Sequence, residues 1–289
     1  MSLSGVPPTA GRPAGAPSGA PRPGLRDLAR GSALEFLLTG VLLFGVVTIV
    51  RWVAGPSSLS AVLPGIHPRL VVIGACVGLL LVGLMRSPAG KASGGHMNPA
   101  ISVAMWRFGA LPGAAVGPYV AAQLAGSLVG ALAGRAVWGP VVGRPPVEWA
   151  SLAPAPGWSD GALFAGEAIP TGVIVLFVGL FLAAPRLAAL VPWLVAALVA
   201  TAIAALGTTT GGSVNPARQF GPAVAAGRTA HLWVYLVAPV VGALLAARLR
   251  ATLVNLGTGR VHRSPVNASD GTSVPASVDP RGAGRPVQA

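Results

Sequence analysis

The chain has 289 residues, 53% of them hydrophobic and only 9% charged, a balance that excludes an ordinary soluble domain and marks a membrane protein. Its net charge of +13 comes without a basic stripe interleaved with aromatics, which argues against nucleic acid as a partner. The one cysteine, Cys76, sits inside an apolar run, so neither a disulfide framework nor a thiolate metal cluster is expected.

Residues 1–30 are rich in Pro, Gly and Ala and carry Arg12, Arg22, Arg26 and Arg30. They lack an apolar core followed by a cleavage site, so they read as a disordered basic tail rather than a signal peptide. Six long apolar segments follow, at about Ser32 to Val53, Pro68 to Met85, Leu111 to Trp138, Gly161 to Ala184, Leu187 to Leu206 and His231 to Arg250. Each is near the length needed to cross a bilayer, and several end in Arg or Trp, which anchor at the interface. The composition divides the chain into a first repeat over 31–138, an extracellular linker rich in Pro and Gly over 139–160, a second repeat over 161–251 and a disordered tail over 252–289. The linker either covers a pore mouth or simply joins the repeats.

Between the second and third segments lies Gly94-Gly95-His96-Met97-Asn98-Pro99-Ala100, and between the fifth and sixth lies Gly211-Gly212-Ser213-Val214-Asn215-Pro216-Ala217-Arg218. The frame of two glycines, two variable residues and Asn-Pro-Ala is the same in both. Asparagine is a favoured helix cap, and proline suits the first helical position, where its missing donor is not needed. Each box therefore predicts a helix start. The helices that follow have room for only nine or ten residues, about 15 Å and half of a bilayer core.

Other pairs extend the duplication. Glu35 and Glu167 each open a Glu-x-x-x-Thr-Gly frame, and Tyr119 and Tyr235 are each followed seven residues later by glycine, Gly126 and Gly242. Three spans per half is an odd number, so the second half is inverted relative to the first, an architecture known among membrane transport proteins. With both termini in the cytoplasm, that side holds fourteen of the twenty basic residues. Arg51, Arg69, Arg135, Arg144, Arg218 and Arg228 remain outside, as the positive-inside rule prefers. Two half-helices entering from opposite faces would bring Asn98 and Asn215 together near the membrane centre. Their amino ends, each worth about half a positive charge, would repel cations, and the two amides would orient a passing oxygen and interrupt proton hopping.

Both boxes, the arginine after the second, the paired glutamates and six spans together resemble the aquaporin, or major intrinsic protein, family over residues 32–250. The resemblance implies an all-α membrane protein of six transmembrane helices and two re-entrant half-helices in an inverted 3+3 repeat, assembled as a homotetramer in the plasma membrane with both termini cytoplasmic. It implies a passive channel, not an enzyme, without cofactor or metal, whose partners are the bilayer, water and small neutral solutes. It makes Asn98, Pro99, Ala100, Asn215, Pro216 and Ala217 the pore motifs, and Glu35 and Glu167 acceptors for the re-entrant loops. It places the constriction at Arg218, Gly212, Ile203 and, about twenty residues before Asn98, Gly78. His96 is expected to brace its loop or line the vestibule. Water-selective members carry an aromatic where Gly78 falls and a histidine where Ile203 falls. Glycerol facilitators carry Asp where this chain has Gln219. The expected filter is therefore wide and weakly polar, suited to polyols, urea or hydroxylated metalloids as well as water. The alternative is an ion- or proton-coupled secondary transporter, which would need a carboxylate or carbonyl site for its coupling ion.

Overall fold

The computed structural model of the chain describes residues 24–257, so most of the two expected tails lies outside the described residues. Within them all regular structure is helical. The first half runs α1 (Leu25–Val53), the short α2 (Ser58–Val62), α3 (Ile66–Arg86), the short α4 (Pro88–Ser93), the half-helix α5 (Pro99–Arg107) and α6 (Gly113–Trp138). Two 3-10 turns, Gly139–Gly143 and Glu148–Ala150, occupy the linker. The second half runs α7 (Asp160–Ala183), the turn α8 (Pro185–Ala188), α9 (Val191–Leu206), the half-helix α10 (Pro216–Ala226) and α11 (Leu232–Gly257).

Three boundaries differ from the sequence expectation. Helix α1 starts at Leu25 rather than beyond residue 30, with Asp27 in its first turn, where a negative charge favours the helix dipole. Helix α11 continues to Gly257, past the expected end at 251. The fifth span does not run unbroken from Leu187, because the chain turns through α8 and restarts with Pro192 in the first turn of α9. Among the described residues five helices are long and apolar enough to cross a membrane. A further apolar helix, α9, has 16 residues, about 24 Å against a core of about 30 Å.

Apolar side chains supply no net attraction between helices already surrounded by lipid, so backbones must approach closely, and here small residues allow it. A Cβ added to Gly126 would stand 2.3 Å from the Phe36 carbonyl oxygen, and one added to Gly130 2.2 Å from that of Gly40. The second half repeats this contact: a Cβ added to Gly242 would stand 2.0 Å from the Ala168 oxygen. Thus α6 lies directly on α1, and α11 on α7, each one residue beyond the helix glutamate. Helix α3 seats on α9 in the same way through Gly74 and Gly78, whose added Cβ atoms would meet the oxygens of Ala200 and Ala196 at 2.7 and 2.9 Å. The repeats interlock, because α10 packs on α6 and α5 on α11. Outward faces remain apolar, with Leu37, Val41, Leu79, Ile169 and Leu245 exposed, as lipid contact requires.

Candidate functional site

The two boxes fold alike. Asn98 caps α5 through a bond from Ala100 N to its Oδ1 at 2.9 Å, and Asn215 caps α10 through Ala217 N at 2.9 Å and Arg218 N at 3.3 Å. Their backbones match at φ −156° in both, with ψ 117° and 111°. The residues before them, Met97 and Val214, take left-handed φ values of 47° and 46°, which bulky side chains adopt only where surrounding contacts hold them. That turn aims each carbonyl at the other box. Asn98 Nδ2 donates to Val214 O at 3.0 Å, and Asn215 Nδ2 donates to Met97 O at 2.9 Å. The half-helices have 9 and 11 residues, about 14 and 17 Å, which together span one hydrocarbon core. Each amide nitrogen has a second hydrogen, and both asparagines stand on the wall of one cavity.

Burial of Glu35 and Glu167 is complete, which is tolerable for a carboxylate only when its oxygens are bonded. Glu35 accepts from Ser93 Oγ at 2.7 Å and His96 N at 2.9 Å on one oxygen, and from Met97 N at 2.7 Å and Gln123 Nε2 at 2.8 Å on the other. Glu167 accepts from Ser213 N at 3.1 Å and Val214 N at 2.7 Å. Each glutamate therefore fixes the left-handed residue that turns the loop toward the opposite box. Two tyrosines complete the brace, Tyr119 donating to Ser93 O at 3.0 Å and Tyr235 to Thr210 O at 2.6 Å. His96 Nδ1 lies 3.1 Å from Ser102 Oγ, and the residue also stands on the cavity wall.

The cavity encloses about 550 Å³ and runs from Ala54, Ile66 and Pro146 at one end of the bundle to Ala110, Leu182 and Val191 at the other. Arg218, Gly212 and Ile203 stand on its wall. Gly78 does not. Its Cα faces Ala196 of α9, and α3 instead turns Leu70, Ile73, Val77 and Leu81 to the cavity. One position along a helix turns a side chain by about 100°, so a count of about twenty back from Asn98 that reaches Gly78 rather than its neighbour Val77 points to a different face. Leu70 packs where a side chain on Gly207 would be, 2.5 Å from that position, one turn beyond Ile203. The α3 wall is thus a branched aliphatic and not a bare backbone.

The linker contributes residues to the cavity wall. Pro146, Val147, Ala150, Ser151 and Leu152 line the cavity, and Arg218 Nη1 donates to Ala150 O at 2.7 Å. Gln219, 1% exposed, donates to Leu152 O at 2.8 Å and accepts from Leu152 N at 3.0 Å. At the exposed surface Glu148 receives both terminal nitrogens of Arg228 at 2.6 Å, a bond that pushes the Arg228 guanidinium above its usual range. Ser127 Oγ donates to Ala217 O and accepts from Gly221 N at 2.9 Å, tying α6 to α10. Sequence reasoning missed Gln123 and Ser127, and it noted Gln219 only as a departure from the glycerol-facilitator pattern. The first two had a readable signal as polar residues four and eight positions after Tyr119 inside an apolar span. The bonding of Gln219 was not readable, because its partners are backbone atoms of the linker.

Among known proteins, the sequence model of the major intrinsic protein family matches residues 26–249. The probable aquaporin NIP7-1 of Arabidopsis thaliana is 32% identical over 237 residues, which is 81% of this chain and 80% of that protein. The probable aquaporin AqpM of Archaeoglobus fulgidus is 36% identical over 186 residues, 61% of this chain and 74% of that one. Among solved structures, the aquaglyceroporin from Plasmodium falciparum shares the fold with a TM-score of 0.64 at 23% identity, covering 79% of this chain and 99% of that chain.

Proposed function

The chain belongs to the major intrinsic protein family, and from that premise we propose how its pore selects and where it works. It is a passive channel for water and small uncharged solutes across a membrane that it crosses repeatedly. One observation carries the reading of selection: Asn98, Asn215 and Arg218 share the wall of a single cavity that reaches from one end of the bundle to the other. Two half-helix amino ends and one guanidinium make that path positive, which admits neutral molecules and opposes cations. No carboxylate of the described residues lines it. Both buried glutamates are engaged by the re-entrant loops, so nothing here favours a coupling-ion site.

The filter consists of Arg218, Ile203, Gly212 and the α3 aliphatics Leu70 and Ile73. Gly212 adds no side chain, and its Cα packs on the Ala202 carbonyl. With two aliphatic walls in place of one, the opening is narrower than Gly78 would have made it and less polar. Such a wall cannot replace the hydration of a strongly polar solute on all sides, but it suits molecules with one hydrogen-bonding edge and one apolar edge, such as small polyols, urea and hydroxylated metalloids. The channel works as a homotetramer in the plasma membrane with both termini cytoplasmic, the orientation that puts fourteen of twenty basic residues inside. Stopped-flow light scattering on proteoliposomes tests the filter. The expected result is fast osmotic water flux with measurable glycerol or urea flux, and strong water flux with neither solute passing would refute the weakly polar, solute-permeable opening.

A further inference from the structure

Three consecutive residues of the linker, Glu148, Trp149 and Ala150, take left-handed φ values of 45°, 61° and 57°. None is glycine, so this backbone persists only where its surroundings over-determine it. The turn they make presents the Ala150 carbonyl to Arg218 Nη1 at 2.7 Å. Two residues later the chain is gripped by Gln219, whose one amide bonds both the N–H and the carbonyl of Leu152. Arg218 and Gln219 are neighbours at the start of α10, so two adjacent side chains hold a three-residue strap at both ends. Further along, Ala155 N donates to Thr209 O at 2.7 Å, and the Leu152 side chain fills the space that a side chain on Gly211 would need.

We propose that Gln219 is a positioning residue for selectivity: its amide clamp on Leu152 fixes the strap that in turn anchors the Arg218 guanidinium at the outer mouth. This rests on Arg218 forming the constriction. The chemistry requires an amide. Leu152 offers one donor and one acceptor, and only a side chain carrying both can match them at once. A carboxylate could accept from Leu152 N but would set a second oxygen against Leu152 O. Methionine has the length and neither bond. Because Gln219 does not line the cavity, any effect on selection must travel through the strap.

The test compares Gln219→Met, Gln219→Glu and Arg218→Ala with the unaltered protein in proteoliposomes, measuring the ratio of glycerol to water permeability. Hydrogen exchange across residues 148–155 is followed on the same preparations. Release of the strap speeds exchange at the Leu152 amide at least about tenfold, the factor equivalent to about 1.4 kcal/mol, and raises the glycerol-to-water ratio in Gln219→Met. Gln219→Glu moves both in the same direction, and it carries the test alone if the Met variant does not assemble. A shift with Arg218→Ala but none with either Gln219 variant overturns the positioning role and leaves the filter standing. No shift with Arg218→Ala overturns the filter itself. In the unaltered protein, a Leu152 amide that exchanges as fast as an exposed loop contradicts the clamp directly.

Discussion

Replacing Glu35 by alanine is expected to cost the fold at least about 4 kcal/mol and to abolish most water flux. Four donors converge on this buried carboxylate: Ser93 Oγ, His96 N, Met97 N and Gln123 Nε2. Each buried donor left without a partner costs about 1–3 kcal/mol, against a typical total stability of about 5–15 kcal/mol. Met97 N matters most, because the left-handed turn at Met97 aims the carbonyl that receives Asn215 Nδ2. Loss of the brace therefore reaches the opposite box. Glu35→Gln keeps the volume and half of the acceptor capacity, and it should fall between. Glu167→Ala removes the acceptor for two backbone donors, Ser213 N and Val214 N, and should destabilise less than Glu35→Ala. Thermal unfolding of the purified protein in detergent, paired with osmotic response in vesicles, reads both effects. A Glu35→Ala protein with unaltered midpoint and flux would show that the network is not what holds the loop.

The second large effect is expected at Arg218, where alanine removes the fixed charge of the constriction. A unit charge about 4 Å from a passing cation opposes it by about 4 kcal/mol at an effective dielectric near 20, which is roughly a thousandfold in rate. Arg218→Ala should thus admit protons and small cations and raise glycerol or urea flux, since the opening also widens. Arg218→Lys separates the two contributions. It keeps the charge and loses the planar fork that reaches Ala150 O, so cation exclusion should survive while the solute ratio moves. Vesicles loaded with a pH-sensitive dye measure the first quantity and light scattering the second. Unchanged proton permeability in Arg218→Ala would assign exclusion to the half-helix ends alone.

The sequence carried the centre of the site further than its rim. Asn98, Asn215 and Arg218 were legible because a repeated motif with capping chemistry leaves few alternatives, and the Glu35 and Glu167 pair was legible from an identical frame 132 residues apart. Gly78 is off the cavity wall, which Leu70, Ile73, Val77 and Leu81 take instead, because each position along a helix turns by about 100° and an approximate spacing does not select one face. The linker's role was not readable, because its working atoms are the carbonyl of Ala150 and the backbone of Leu152, which any residue supplies. The same holds for the start of α1 at Leu25, where a basic stretch resembling the tail continues the apolar helix.

Proteoliposomes that shrink rapidly under an osmotic step, and that carry an internal pH dye, give the most direct reading of two half-helices meeting tip to tip. Such a junction passes water while the Asn98 and Asn215 amides and the two positive helix ends hold protons back. The expected record is a fast osmotic response with proton permeability no greater than that of protein-free vesicles. A proton flux that rises in step with the osmotic rate would mean that an unbroken water wire runs past both asparagines, and the opposed half-helices would then not be the barrier.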